Sequence, residues 1–264
     1  MSTPKYLTGD KAAIKAFLDK FDVFLFDCDG VLWSGDHLFP SIPLTLSHLR
    51  DTLSKRIVFV TNNSTKSRAD YCKKLTSMGI PATPAEVFGS SYSAALYISK
   101  ILPTSNKEYA QLLKEGRNKV FVIGEAGIEA ELKTCGVPYI GGTDASLRRD
   151  VTPEDYKLMA SGDPSLIDPA VGVVLVGLDF HYNYFKMCLA FQYIQRGAIF
   201  LATNVDSTLP SAGGLFPGAG SMAAPLTLML KGREPYKGRL LEGETRPAFY
   251  MDKLSDLLLA AEGE

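Results

Sequence analysis

Short apolar runs alternate with segments of helical periodicity along most of this chain. Residues 23–26 and 57–60 carry no polar residue on either face, which is typical of strands buried on both sides in a parallel sheet. Between them, Ile42, Leu46 and Leu49 recur at the spacing of a helix that packs one stripe against a sheet. A strand, a helix and a second strand in this order predict a right-handed crossover and a parallel pair.

The same alternation starts again beyond residue 88. Further strands are predicted at 119–123, 138–140, 172–176 and 198–202, with helices at 91–102, 127–135 and 184–196 and a polar connection over 141–169. This second series has apolar strands of its own, so the predicted fold class is α/β, with a parallel Rossmann-like core sheet and an inserted α/β cap domain. The predicted domains are 1–87 for the first part of the core, 88–212 for the cap and 213–264 for a shortened second part of the core.

Composition narrows the possible partners. The 264 residues are 46% hydrophobic and 22% charged, which is ordinary for a folded globular protein. The net charge of −1 gives no basic face for nucleic acid, so a small molecule is the expected partner. Four cysteines without a C-x-x-C pair favour reduced thiols. Since we find neither a secretion signal nor a membrane span in the sequence, a cytoplasmic protein without membrane contact is predicted.

Two carboxylates one residue apart, Asp27 and Asp29, follow the first predicted strand. On an extended backbone they point the same way, and Gly30 allows the chain to turn sharply after them. A hard divalent cation such as Mg²⁺ can lie between these acids and a phosphate. Asp27 can then attack phosphorus as a nucleophile while Asp29 serves as acid and base. The alternative is an acidic turn after a core strand.

A polar segment, Thr61-Asn62-Asn63, follows the second predicted strand. Because the carboxyl ends of parallel strands meet at one edge of the sheet, we expect this segment to lie level with Asp27. A hydroxyl, an amide and a helix that begins near Ser64 can donate hydrogen bonds to phosphate oxygens. The alternative is that Asn62, Asn63 and Ser64 form a turn and a helix cap.

In combination these motifs resemble the haloacid dehalogenase superfamily, and within it the branch of 4-nitrophenylphosphatases, phosphoglycolate phosphatases and pyridoxal phosphatases. The resemblance is carried in order by residues 26–33, 60–67, 176–179, 203–206 and 217–221. It implies a phosphatase that hydrolyses small phosphate monoesters through an aspartyl-phosphate. It also implies Mg²⁺ held by Asp27 and Asp29, and phosphate contacts at Thr61 and Asn62 with Asn63 nearby.

The resemblance also implies a role for one loop of the cap. The loop that contains Asp179 and His181 is expected to face the substrate and tune specificity, whereas the alternative is a loop with local hydrogen bonds only. A homodimer formed through the cap is also predicted.

After Gly238 the resemblance is interrupted. The family continues with a lysine that neutralises the phosphate and with a G-D-x-x-x-T-D segment whose acids hold Mg²⁺. Here residues 239–245 lead directly into residues 246–254, which resemble the last strand and helix of the family. Arg239 or Lys237 is the candidate replacement for the lysine, because either can bind phosphate.

Asp252 and Asp256 are the candidate replacements for the acids, although a structural place in the last helix is the favoured interpretation. Without the family's acids we expect weaker Mg²⁺ binding, and without one core strand an incomplete sheet. The prediction is therefore a Mg²⁺-dependent phosphatase with impaired activity. The alternative is a catalytically weak or inactive phosphoryl-binding or regulatory protein.

Overall fold

The structure is a computed structural model that describes residues 4–211, 213–236, 249–250, 254 and 257–258. The strands are β1 (Lys5–Tyr6), β2 (Val23–Asp27), β3 (Trp33–Ser34), β4 (His37–Leu38), β5 (Arg56–Thr61), β6 (Val87–Gly89), β7 (Lys119–Ile123), β8 (Tyr139–Gly141), β9 (Val171–Val176), β10 (Ile199–Ala202), β11 (Thr208–Ser211), β12 (Gly214–Pro217) and β13 (Phe249–Tyr250). The helices are α1 (Lys11–Lys20), α2 (Ile42–Ser47), α3 (Arg68–Ser77), α4 (Ser90–Leu96), α5 (Leu102–Ser105), α6 (Lys107–Lys114), α7 (Ala126–Thr134), α8 (Pro153–Ser161), α9 (Tyr184–Gln195) and α10 (Ala219–Met229). The predicted α/β class with parallel sheets is confirmed.

The described residues divide into two compact units. Of the described residues, the first unit contains 4–61, 71–88, 249–250, 254 and 257–258, and the second contains 62–70, 89–211 and 213–236. Both units contain parallel strands, as the alternation of apolar runs and helices predicted. No helix in the described part of the chain combines the length and apolar composition that crossing a bilayer requires.

The sheet of the first unit has the order β2-β5-β6. β2 and β5 are parallel, and Asp27 pairs with Val60, so both strands end at the same edge. Phe24 and Phe26 are buried in one core cluster together with Phe59 of β5. This register is the one that the strand, helix, strand pattern predicted.

The prediction that β2 is buried on both faces is wrong. Val23 and Leu25 are 37% and 67% exposed, whereas Phe24 and Phe26 on the opposite face are below 10%. Among the described strands β2 lies at the end of its sheet, and its core cluster covers one face only. An apolar run alone therefore did not reveal which side of this strand is covered.

Shortening an exposed side chain of β2 and a buried side chain of β5 is expected to have unequal effects on the free energy of unfolding. Leu25→Ala should lower the free energy of unfolding by roughly 0.5 kcal/mol or less, because the side chain is already in water. Phe59→Ala should lower it by about 3–5 kcal/mol, because its side chain is fully buried. Urea unfolding measures both values, and equal losses would show that the Leu25 face is covered in solution.

The second unit contains a four-stranded parallel sheet with the order β10-β9-β7-β8. Every residue of β9 is buried, so this strand is covered on both faces. Val174 and Val176 belong to one core cluster, and Val173 and Leu175 to another on the opposite face. From β7 the chain continues to β8 on one side and then to β9 on the other, so the strand order reverses between β7 and β9.

The predicted polar connection over 141–169 contains a helix, α8, and the prediction is wrong there. The Thr152 hydroxyl accepts a hydrogen bond from Asp155 N, and the Asp155 carboxylate accepts one from Thr152 N, so the two form a capping box. Pro153 occupies the first turn of the helix, where its missing N–H costs nothing. The apolar residues of α8 are too few to predict a helix from their spacing. The capping box of Thr152 and Asp155, with Pro153 after Thr152, was nevertheless readable in the sequence.

The units differ from the predicted domains at two segments. Residues 62–70 lie in the second unit, where Gly127 N donates to Thr65 O and the Glu131 carboxylate accepts from Arg68. The described residues of 213–236 also lie in the second unit, because α10 packs against α9 and β10. The predicted boundary after residue 87 lies one residue before the change of unit after Phe88.

Candidate active site

Two carboxylates stand together at the carboxyl end of β2. Asp27 and Asp29 are exposed, whereas Cys28 between them is fully buried in the core of the first unit. Asp27 Oδ1 accepts a hydrogen bond from Cys28 N at 2.8 Å, and Asp29 Oδ1 accepts one from Trp33 Nε1 at 2.8 Å. The two acids lie on one side of the chain, as predicted, and the thiol lies on the other.

A tight turn after Asp29 holds this arrangement. Gly30 has a φ of +84°, in the left-handed region that side chains with a Cβ rarely adopt. Its N–H donates to Trp33 O at 2.7 Å, and Cys28 O accepts from Leu32 N at 2.9 Å. The turn brings the fully buried Trp33 ring under Asp29, so the position of this carboxylate is fixed by the core.

Burial keeps the Cys28 thiol protonated. Desolvation, followed by the charges of Asp29 and Asp27, raises the pKa of Cys28 from 9.0 to about 12. The thiolate is the reactive form of cysteine, so this thiol is inert at neutral pH despite its place between two candidate catalytic acids.

Iodoacetamide is therefore expected to leave Cys28 unmodified in the folded protein and to label it in concentrated urea, as peptide mass mapping would show. The raised pKa of Cys28 also makes the free energy of unfolding depend on pH. The contribution of the protonated thiol is fully present below pH 9.0 and is lost as the pH rises towards about 12. Labelling of the folded protein at the rate of the unfolded chain would contradict the burial.

Thr61 is the last residue of β5 and lies at the same edge of the sheet as Asp27. Its Oγ1 is 3.1 Å from the Oη of Tyr71, and both side chains are buried. Burial raises the pKa of Tyr71, so the phenol stays neutral at physiological pH. The hydroxyl of Thr61 therefore has a position fixed by α3.

Asn62 and Asn63 belong to the second unit. Asn62 is exposed, its Nδ2 donates to Asp206 Oδ2, and its backbone O accepts from Ser90 Oγ at 2.6 Å. Asn63 Oδ1 accepts from Thr65 N at 2.9 Å and from Thr65 Oγ1 at 2.8 Å. The contacts of Asn63 are those of the turn that the alternative interpretation described, whereas Asn62 presents its side chain at the surface.

The loop with His181 rests on a buried ion pair. Asp179 Oδ1 accepts from His181 N at 2.7 Å, and Asp179 Oδ2 accepts from Lys186 Nζ at 2.7 Å. The side chains of Asp179 and Lys186 are both 1% exposed, and Lys186 Nζ also donates to Gly142 O. Asp179 therefore makes the local hydrogen bonds of the alternative interpretation, while the His181 side chain is exposed.

Sequence reasoning did not identify Lys74. Its Nζ lies 4.3 Å from the centroid of the Trp33 ring, and its positive charge lowers the pKa of Cys28 against the larger effects of burial and the two acids. Lys74 stands three residues after Tyr71 on α3, so the helical spacing was the signal that could have placed it on the same face of the helix as Tyr71.

The candidate replacements Arg239, Lys237, Asp252 and Asp256 lie outside the described residues. Within the described ranges no group of three or more His, Cys, Asp or Glu side chains is arranged to hold a metal ion. The oxygen donors of Asp27 and Asp29 nevertheless fit Mg²⁺, because this ion is commonly held by one or two carboxylates together with water and substrate phosphate.

The acids at the end of one parallel strand and the buried hydroxyl at the end of the next form a candidate active site at the carboxyl edge of an α/β sheet. Residues 24–138 match the family of haloacid dehalogenase-like hydrolases. A 4-nitrophenylphosphatase of Schizosaccharomyces pombe is 48% identical to the chain over 222 residues, which cover 84% of the chain and 68% of that protein. The chain belongs to this family of hydrolases.

Two further proteins are similar over most of the chain. The chloroplastic phosphoglycolate phosphatase 1A of Arabidopsis thaliana is 38% identical over 245 residues, covering 90% of this chain and 60% of that protein. The solved glycerol phosphate phosphatase from Mycobacterium tuberculosis, in complex with magnesium, has a TM-score of 0.62 and 26% identity, covering 83% of this chain and 54% of that one. The predicted class, a phosphoric monoester hydrolase, is thus confirmed at the level of the family, although the chain spans only 60–68% of the two curated relatives.

Proposed function

We propose that this chain is a Mg²⁺-dependent phosphatase that hydrolyses small phosphate monoesters, with Asp27 as the nucleophile. The observation that supports this most directly is the pair of exposed carboxylates at the end of β2, with the Thr61 hydroxyl at the same edge of the sheet. The named relatives act on 4-nitrophenyl phosphate and phosphoglycolate, which makes both esters suitable test substrates.

In this mechanism an Asp27 carboxylate oxygen attacks phosphorus, and the bond from phosphorus to the ester oxygen breaks. Asp29 gives a proton to the departing oxygen and so releases the alcohol. Asp29 then takes a proton from a water molecule that attacks phosphorus, which regenerates the Asp27 carboxylate and releases phosphate. The hydrogen bond from Trp33 Nε1 keeps Asp29 oriented for both proton transfers.

Hydrogen-bond donors at the sheet edge hold the phosphate in the proposed site. Thr61 Oγ1 is positioned by Tyr71, and the exposed Asn62 amide follows it directly in the chain. Bound Mg²⁺ would be held by Asp27 and Asp29 and would offset the repulsion between these carboxylates and an anionic substrate. His181 and the undescribed Arg239 remain proposed substrate contacts.

A second candidate function is that of a weak or inactive phosphoryl-binding or regulatory protein. It is favoured by the interruption of the resemblance after Gly238, where the family's lysine and G-D-x-x-x-T-D segment do not follow. In either function the partner is a small phosphorylated molecule and neither nucleic acid nor a membrane. A cytoplasmic location and a homodimer through the cap stay predictions.

Steady-state hydrolysis of 4-nitrophenyl phosphate and of phosphoglycolate, with Mg²⁺ and with a chelator, separates the two candidates. A phosphatase is expected to turn over at least one ester and to lose that activity when the metal is removed. Background-level turnover together with calorimetric binding of inorganic phosphate would support the second candidate instead.

A further inference from the structure

A pocket of about 250 Å³ lies at the amino edge of the four-stranded sheet of the second unit. Asn118 comes directly before β7 and Pro138 directly before β8, and both line the pocket. Because β7 and β9 are parallel, the loop that follows β9 lies at the opposite edge of the sheet. All the lining residues belong to the second unit, and none of them is a residue of the candidate active site.

Much of the pocket wall is apolar. The apolar lining consists of Ile98, Pro103, Leu113, Val137 and Pro138. Ile98 and Val137 are 1% and 8% exposed, so this wall is part of a packed core. The volume is smaller than that of pockets that hold drug-sized ligands, so the pocket suits a ligand whose apolar body is about the size of one ring.

Tyr109 of α6 lines the pocket although only 3% of the residue is exposed. Its backbone N–H donates to Asn106 Oδ1 at 2.8 Å, but its hydroxyl forms no hydrogen bond with any described residue. A buried tyrosine hydroxyl usually has a hydrogen-bond partner. The hydroxyl of Tyr109 is therefore a donor that a ligand in the pocket can use.

The charge at the pocket is positive. Lys100 is exposed, lines the pocket and makes no ion pair with another described residue. Burial raises the pKa of the Cys135 thiol, so this group adds no negative charge at physiological pH. No acidic side chain belongs to the described lining. Lys100, Tyr109 and Asn118 thus offer an ammonium, a phenol and an amide, each of which can donate a hydrogen bond.

The helix that carries Lys100 is irregular where it lines the pocket. Residues 97–101, between α4 and α5, form a π-helical turn in which Leu102 N donates to Tyr97 O. Such turns are rare and are frequently found at functional sites. Residues 98–100 of this turn all line the pocket, so the irregular turn and the pocket coincide.

We propose that this pocket binds a small monocarboxylate with an apolar body about the size of one ring. The carboxylate accepts hydrogen bonds from Lys100, Tyr109 and Asn118, and the apolar body packs against Ile98 and Val137. One ammonium matches one negative charge. A phosphate dianion fits less well, because its second charge has no countercharge among the described residues of the lining.

Ligand-observed NMR titration of the full chain with benzoate, benzamide and acetate tests this assignment. Benzamide has the ring without the charge, and acetate has the charge without the ring. Benzoate is expected to bind about tenfold more tightly than either, because hydrogen bonds to a charged group and burial of the ring then act together. An excess of inorganic phosphate should leave the affinity for benzoate unchanged.

Two variants separate the contributions of the charge and the hydroxyl. Lys100→Met should weaken benzoate binding about tenfold and leave benzamide binding unchanged. Tyr109→Phe should weaken benzoate binding severalfold without lowering the free energy of unfolding, because the hydroxyl bonds to no described residue. Urea unfolding measures the second effect.

Lys107→Met is the matched control, because Lys107 is an exposed lysine of α6 that does not line the pocket. It should leave all three affinities unchanged. Circular dichroism verifies that each variant is folded before its affinities are compared.

Equal affinities for benzoate and benzamide, or a benzoate affinity that survives both Lys100→Met and Tyr109→Phe, would overturn the inference. Displacement of benzoate by inorganic phosphate, or no detectable binding of benzoate, would overturn it as well. None of these measurements requires turnover of an ester, so the inference and the proposed phosphatase function can fail independently.

Discussion

Replacing Asp27 with asparagine is expected to lower the hydrolysis of 4-nitrophenyl phosphate by about 10⁴-fold or more, because removal of an enzyme's nucleophile can cost about 10⁶-fold in kcat. The amide cannot form the phosphorylated intermediate, but it keeps the size of the side chain. Because Asp27 is exposed, the free energy of unfolding should change little. Steady-state kinetics in the presence of Mg²⁺ and thermal unfolding measure the two effects.

Asp19→Asn is the matched control, since Asp19 is an exposed acid of α1 in the same unit. It should retain the activity of the unmodified chain. A chain with Asp27→Asn that hydrolyses the ester at the unmodified rate would exclude this carboxylate as the nucleophile. Intact protein mass spectrometry offers a second test, because a phosphorylated species should be trapped only when Asp27 is present.

Replacing Lys186 with methionine is expected to lower the free energy of unfolding by about 3–5 kcal/mol. The change leaves the Asp179 carboxylate, which is 1% exposed, without its countercharge in the core of the second unit. The double variant Lys186→Met, Asp179→Leu removes both charges, so it should lose less stability than the single variant. Urea unfolding of Lys186→Met, of Asp179→Leu and of the double variant measures the coupling between the two charges.

The exposed pair of Lys157 and Glu154 provides the comparison, because its side chains are 76% and 64% exposed. Lys157→Met should change stability by about 0.5 kcal/mol or less. If the Lys186 variant lost no more than the Lys157 variant, the buried pair would not be formed in solution.

The positions of the two acids could be predicted because they depend on local rules. Strand periodicity places Asp27 and Asp29 on one side and Cys28 on the other, and the parallel crossover places Thr61 at the same edge. These features require only the pattern of apolar residues and the order of the elements.

The contacts that join distant parts of the chain were not predictable in this way. Lys186 is an ordinary helix residue in the sequence, and only the packing of α9 brings it to Asp179 and Gly142. The exposure of Leu25 depends on which elements lie beside β2, and an apolar run cannot contain that information. The hairpin of β11 and β12 was also missed, because its strands are mostly exposed and show no apolar alternation.

The open side of β2 has a consequence for handling the protein. Among the described strands β2 ends its sheet, and a strand in this position that presents a large aliphatic side chain such as Leu25 to water can pair with the same strand of another molecule. Neighbouring acids at Asp22 and Asp27 oppose this contact by mutual repulsion between copies. Solubility at high concentration should then fall in very salty buffers, which screen this repulsion, even while the chain stays folded.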